Sequence, residues 1–219
     1  MMLANHSVAY TEFLEDLHGT TKSASPYSQA NNTLVVGYNG NGLMYAEKEA
    51  SAVAALLGTK PLLDKESTKS NVKDKIKEAR NIHIATHTRV NVDNPFLTSL
   101  TLADGELDVN VFDMASLNMA VLSACYTGYS GNEFMSHRSV MHSAGTKRVI
   151  SSLWEVDDLK TSSLMKSFYN SMNKGIAIPV ALQKAKLEIQ TEHNEADRIH
   201  PHFYAPFQLS VRSVAAFVE

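Results

Sequence analysis

From Thr33 onward the hydrophobic and polar positions change rhythm repeatedly between the period of a strand and the period of a helix. Thr33-Leu34-Val35-Val36-Gly37 is a short β-branched run halted by glycine, followed by a polar turn and then by apolar residues at 43, 46, 50, 53, 54 and 57. That spacing predicts a strand, a loop and a helix over 43–57 closed by Gly58. Lys60-Pro61-Leu62-Leu63 reads as a second short strand, and Val72, Ile76 and Ala79 share one face of a helix over 70–79 with Ser70 as its N-cap. Asn81 to Thr86 is a strand, 98–109 a hairpin around Ala103-Asp104-Gly105, and Met119 to Ala124 an unbroken apolar run of the kind a strand buried on both faces shows. A helix at 133–143 and a strand at 147–153 follow, then a helix beyond Asp157 and Asp158, a helix opened by Pro179, and a final strand, 207–211.

Alternating β and α units predict one three-layer α/β/α sandwich with a mostly parallel central sheet over 33–219. Residues 1–32, rich in Ser, Thr, Asn and His, read as a polar N-terminal arm or linker with one short helix at 9–17. Composition removes several classes of function. With 44% hydrophobic and 20% charged residues the 219-residue chain is of globular type, and it contains no run of about 20 apolar residues that would span a membrane. A formal charge of -3 gives no electrostatic ground for nucleic acid or an acidic membrane as partner. One cysteine excludes an internal disulfide, and with no secretory signal pattern at the start a reducing cytoplasm is the expected location.

Chemistry in an open parallel sheet gathers beyond the carboxyl ends of its strands. His87 follows one such strand and Cys125 another, the latter opening a glycine-bearing turn from Cys125 to Gly131. If the two strands are parallel neighbours about 4.8 Å apart, imidazole and thiol meet as a nucleophile and its base, with the amides after Cys125 free to hold an oxyanion. Composition alone favours the opposite reading, because free cysteine is among the most buried residue types. His83, on the same side of its strand as His87, reads as a structural, hydrogen-bonded histidine. His193, His200 and His202 show no metal-binding spacing, and neither a metal nor any other cofactor is expected. No glycine-rich phosphate loop follows Val36, which removes a nucleotide-binding doubly wound protein.

Five segments shift the balance between core cysteine and nucleophile. They are Ile82-His83-Ile84-Ala85-Thr86-His87, Val121-Leu122-Ser123-Ala124-Cys125-Tyr126-Thr127-Gly128, Ser151-Ser152-Leu153-Trp154-Glu155-Val156-Asp157-Asp158, Phe168-Tyr169 and His200 to Phe207. With Tyr45 to Ala50 of the first helix, their order and spacing resemble the CHAT domain, a caspase-like family of cysteine peptidases also related to separase. The resemblance covers about 33–211. It implies a caspase-like sandwich, Cys125 as nucleophile and His87 as base. Amides near Thr88 and Tyr126 would hold the oxyanion, and Trp154, Asp157 and Asp158 would line the substrate groove, the acids selecting a basic side chain. Asp158 has a competing role as the cap of the helix that follows.

Thr88 departs from the family pattern, which has glycine after the histidine, and Asn132-Glu133-Phe134-Met135 replaces its usual glycine-rich continuation. The resemblance implies a latent cysteine endopeptidase that cleaves a chosen protein or peptide partner in a defence or cell-death-like system. The sensor or activator is then a separate protein, the polar arm at 1–32 is a docking segment, or the chain is a fragment. A homodimer through the last strand is the corresponding analogy. The competing expectation is a catalytically weak caspase-like module that works by binding other proteins.

Overall fold

The computed structural model describes residues 32–40, 42–89, 99–108, 117–125, 137–191 and 200–212. Nine strands are described: β1 Thr33–Gly37, β2 Leu62–Leu63, β3 Asn81–Ala85, β4 Thr88–Arg89, β5 Ser99–Leu102, β6 Gly105–Asp108, β7 Met119–Ser123, β8 Arg148–Ser152 and β9 Phe207–Val211. Five helices accompany them: α1 Ala46–Leu57, α2 Lys69–Ile76, α3 His137–Ser143, α4 Asp158–Asn173 and α5 Ile178–Thr191. The main sheet runs in the order β2-β1-β3-β7-β8-β9, parallel throughout except for β9, which pairs antiparallel with β8 at one edge. The three layers and the mostly parallel sheet agree with the alternation of the sequence.

Every residue of β1, β3 and β7 is buried, which is why these strands read as continuous rather than alternating runs. The two sheet faces nevertheless divide by parity. Val35, Val121 and Ile150 join α1, α4 and α5 in one apolar core, and Leu34, Val36, Ile82, Ile84 and Leu122 join α2, α3 and the β5–β6 hairpin in the other. Gly37 sets how closely α1 approaches: a Cβ there would lie 2.5 Å from Ala50 Cβ and 2.9 Å from the Ala46 carbonyl oxygen. Only a residue without a side chain permits this contact between strand end and helix.

Several boundaries differ from the expected ones. Helix α1 begins at 46 rather than 43, and Gly58 closes it with φ 65°. Helix α2 begins at Lys69, so the cap is not Ser70 but Thr68, whose side chain accepts a hydrogen bond from the Asn71 amide. The hairpin forms as expected but recruits β4, an element too short to leave a pattern, into a separate three-stranded antiparallel sheet. The expected arm at 1–32, all but its last residue, and the start of the helix expected at 133–143 lie outside the described residues. Among the described residues no helix is long and apolar enough to cross a membrane.

Candidate active site

The register of β3 and β7 brings the two candidate catalytic residues level. The strands are parallel, with Ala85 opposite Ser123 as their last pair, and the Thr86 amide extends the ladder by donating to the Ser123 carbonyl at 3.4 Å. His87 and Cys125 each stand two residues beyond that pair, both half-buried at the carboxyl edge of the sheet. The backbone of His87 is held from the side by the small sheet: its carbonyl accepts from the Thr101 amide at 3.0 Å, and the Thr86 hydroxyl donates to the Thr101 carbonyl at 2.5 Å. The β1–α1 loop closes over the imidazole at Gly40. Its φ of +55° and a would-be Cβ only 3.3 Å from His87 Cδ2 make glycine the fitting residue there.

Buried polar atoms in folded proteins are overwhelmingly hydrogen-bonded. His87 Nε2, the Thr88 hydroxyl and the Ser123 hydroxyl are all buried at this end of the sheet and have no partner among the described residues. Cys125 opens onto a narrow pocket whose walls include Leu43, Glu49, Ser123, Val156, Asp158 and Thr161. Burial pushes the thiol above its ordinary titration range; the Val156 backbone opposes this, and the charges of Glu155 and Asp158 add to it. A thiolate at this position therefore needs a neighbouring proton acceptor.

The other expected site residues take different places. Thr88 lies in β4 with ordinary backbone, since Asp64 is the only non-glycine with positive φ among the described residues. Tyr126 lies outside the described residues. Trp154, half-buried just after β8, donates its indole N–H to the His202 carbonyl at 3.1 Å and stacks on the His202 ring. Asp157 is the N-cap of α4, accepting from the Lys160 amide at 2.8 Å, so the capping role considered for Asp158 belongs to its neighbour. Asp158 instead reaches across to the entrance of α1, where its Oδ2 accepts from the amides of Met44 and Tyr45 at 2.7 and 2.8 Å. The pocket beside Cys125 is lined by Asp158 but by neither Asp157 nor Trp154.

Two lining residues escaped the sequence reading. Glu49 is 2% exposed, and its Oε1 lies 3.0 Å from Nε2 of the fully buried His83, whose Nδ1 is 3.3 Å from the Tyr169 hydroxyl. The signal was available: position 49 falls inside the apolar stripe formed by 46, 50, 53, 54 and 57, where an acid requires a buried partner. Ser123 was legible through strand parity, which places it on the side of Cys125, two residues away. Among the described residues no group of three His, Cys, Asp or Glu side chains is arranged to hold a metal ion.

Solved structures of similar fold include a cysteine proteinase and two protein complexes. The Arg-specific cysteine proteinase gingipain R aligns with a TM-score of 0.64 at 10% identity, over 91% of this chain and 52% of its own. The complex of Porphyromonas gingivalis RgpB pro- and mature domains gives 0.61 at 8% identity, over 82% of this chain and 47% of that one. The Saccharomyces cerevisiae separase–securin complex gives 0.55 at 9% identity, over 82% of this chain and 11% of that one. The chain thus spans about half the length of the gingipain chains, and the likeness establishes a caspase-like α/β sandwich. No curated protein matches by sequence. The family model described as CHAT domain matches residues 2–212, taking in the segment read as an arm as well as the sandwich, and the chain belongs to the CHAT domain family.

Proposed function

We propose that this CHAT domain is a cysteine endopeptidase in which Cys125 is the nucleophile and His87 the base. The observation that carries the reading is the level placement of the two residues beyond the ends of adjacent parallel strands, with His87 Nε2 unpartnered among the described residues. Cys125 Sγ attacks a peptide carbonyl as its proton passes to His87, and the oxyanion is held by amides near Thr88 and Tyr126. Collapse of the tetrahedral intermediate expels the amine, which takes the proton from His87, and water then releases the acyl group from Cys125. The substrate is a protein or peptide, cleaved in the cytoplasm when a separate sensor or activator calls for it, as in defence or cell-death-like systems. Trp154 and Asp158 flank the groove. The outer edge of β9, the last strand of the main sheet among the described residues, is where a second copy would pair to form a homodimer.

A second reading, a binding module with little catalysis, is favoured by the surroundings of the thiol: burial, with the charges of Glu155 and Asp158 beside it, pushes Cys125 above the ordinary thiol range. The two readings part in the rate at which iodoacetamide alkylates Cys125, the only thiol in the chain, across pH 5 to 9. With a working dyad, His87→Ala slows alkylation at neutral pH by about tenfold or more, leaving only a rise at alkaline pH. Equal rates in both proteins would remove the dyad and leave the binding module.

A further inference from the structure

The pocket beside Cys125 differs from what its two acids lead one to expect. An acid-walled pocket next to a nucleophile is suited to a basic side chain, but here each carboxylate already has one oxygen engaged within the protein. Glu49 is committed to His83, and Asp158 Oδ2 to the Met44 and Tyr45 amides. The remaining walls are short or apolar side chains, among them Leu43, Ala46, Ala85 and Val156. The hydroxyl of Thr86, another lining residue, is taken by the Thr101 carbonyl. Two lining hydroxyls remain, those of Thr161 and Ser123; the Ser123 hydroxyl is the one nearer the nucleophile in the chain, two residues away, on a residue 6% exposed and without a hydrogen-bond partner among the described residues.

Size points the same way as polarity. The free volume is about 20 Å³, room for roughly one water molecule. Such a space suits a methyl or hydroxymethyl group better than a guanidinium on its three-carbon stem. Beside the lining residue Leu43, the amides of Met44 and Tyr45 are held to Asp158 by two hydrogen bonds to a charged acceptor.

We propose that this pocket receives a small uncharged side chain from the residue supplying the attacked carbonyl, serine before alanine. Ser123 is the group that recognises the hydroxyl, and the Asp158 contact to Met44 and Tyr45 is the latch that shuts out basic residues. This inference rests on the peptidase reading. A site that hydrogen-bonds a substrate hydroxyl discriminates well against an analogue lacking it, because its own buried polar group is otherwise left unpaired.

The test uses three peptidyl acyloxymethyl ketones, identical except for Ser, Ala or Arg next to the ketone. Intact mass reads modification of Cys125, with Cys125→Ala as the blank. The serine and alanine ketones are expected to react at least about tenfold faster than the arginine one, serine leading by a few-fold. Ser123→Ala removes the lead of serine over alanine. Asp158→Ala raises the arginine rate selectively. Fastest reaction with arginine in the native chain, still dependent on His87, would overturn the pocket assignment and leave the peptidase reading standing. So would a serine lead that survives Ser123→Ala. If iodoacetamide modifies Cys125 but no ketone does so with dependence on His87, both fall.

Discussion

A carboxylate in the apolar stripe of a helix is tolerated only if its partner is buried with it, and Glu49 meets that condition through His83. Removing one member of such a pair leaves the other without compensation. Glu49→Ala is therefore expected to lower unfolding stability by about 3 kcal/mol in urea titrations, and Glu49→Gln, which keeps an oxygen near His83 Nε2, by clearly less. Equal losses would mean that packing, rather than the pairing of polar groups, is what position 49 supplies. The same pair explains what could and could not be read at this scale. His83 was legible as structural because strand parity turns it inward, but its partner lies 34 positions away, and no periodicity links an acid in one helix to a histidine in a later strand. Asp158 shows the limit more sharply: next to a helix start it reads as a cap, and only the folded chain brings it to the amides of Met44 and Tyr45.

At the scale of elements, the strands that line the site were the most legible part of the chain. Five-residue runs such as β3 and β7 are buried on both faces and carry an unbroken apolar signal, so their ends, and with them His87 and Cys125, could be located to within a residue. The β4 strand could not, because two residues have no period. Helix starts shifted for a related reason: Leu43 is an apolar member of the stripe, yet it packs in the pocket wall ahead of α1 rather than in its first turn. The contact between β1 and α1 carries its own expectation. Gly37→Ala forces a methyl against Ala50 and the Ala46 carbonyl, which should cost about 2 kcal/mol of stability by thermal or urea unfolding. Because Ala46 also lines the pocket, the shift of α1 should slow Cys125 alkylation as well. An unchanged stability would show that the helix backs away freely.

For the molecule as a whole, two half-buried groups give opposite dependences on alkaline pH. The Cys125 thiol titrates higher folded than unfolded, so its contribution to stability is complete below the ordinary thiol range and is lost as pH climbs through the folded value. Burial lowers the Lys186 ammonium on α5 to about 8, so the folded chain binds fewer protons than the unfolded one between there and the ordinary lysine value, and stability rises with pH over that window. Lys186→Met should then stabilise the protein at neutral pH by about 1–2 kcal/mol and unmask the thiol-linked loss in urea unfolding repeated near about pH 9.5. If Lys186→Met destabilises the chain, its ammonium has a partner that outweighs its desolvation. The resemblance rested on segments that include the strands β3 and β7 and the residues that follow β8, which is why so much of the architecture could be anticipated from linear spacing. The hold of the small sheet on the site could not. By holding the His87 carbonyl and the Thr86 hydroxyl, Thr101 removes backbone freedom from position 87 while the protein folds. The entropy of ordering the base is then lost long before any substrate arrives, and what remains mobile at the moment of encounter is the rotation of one ring.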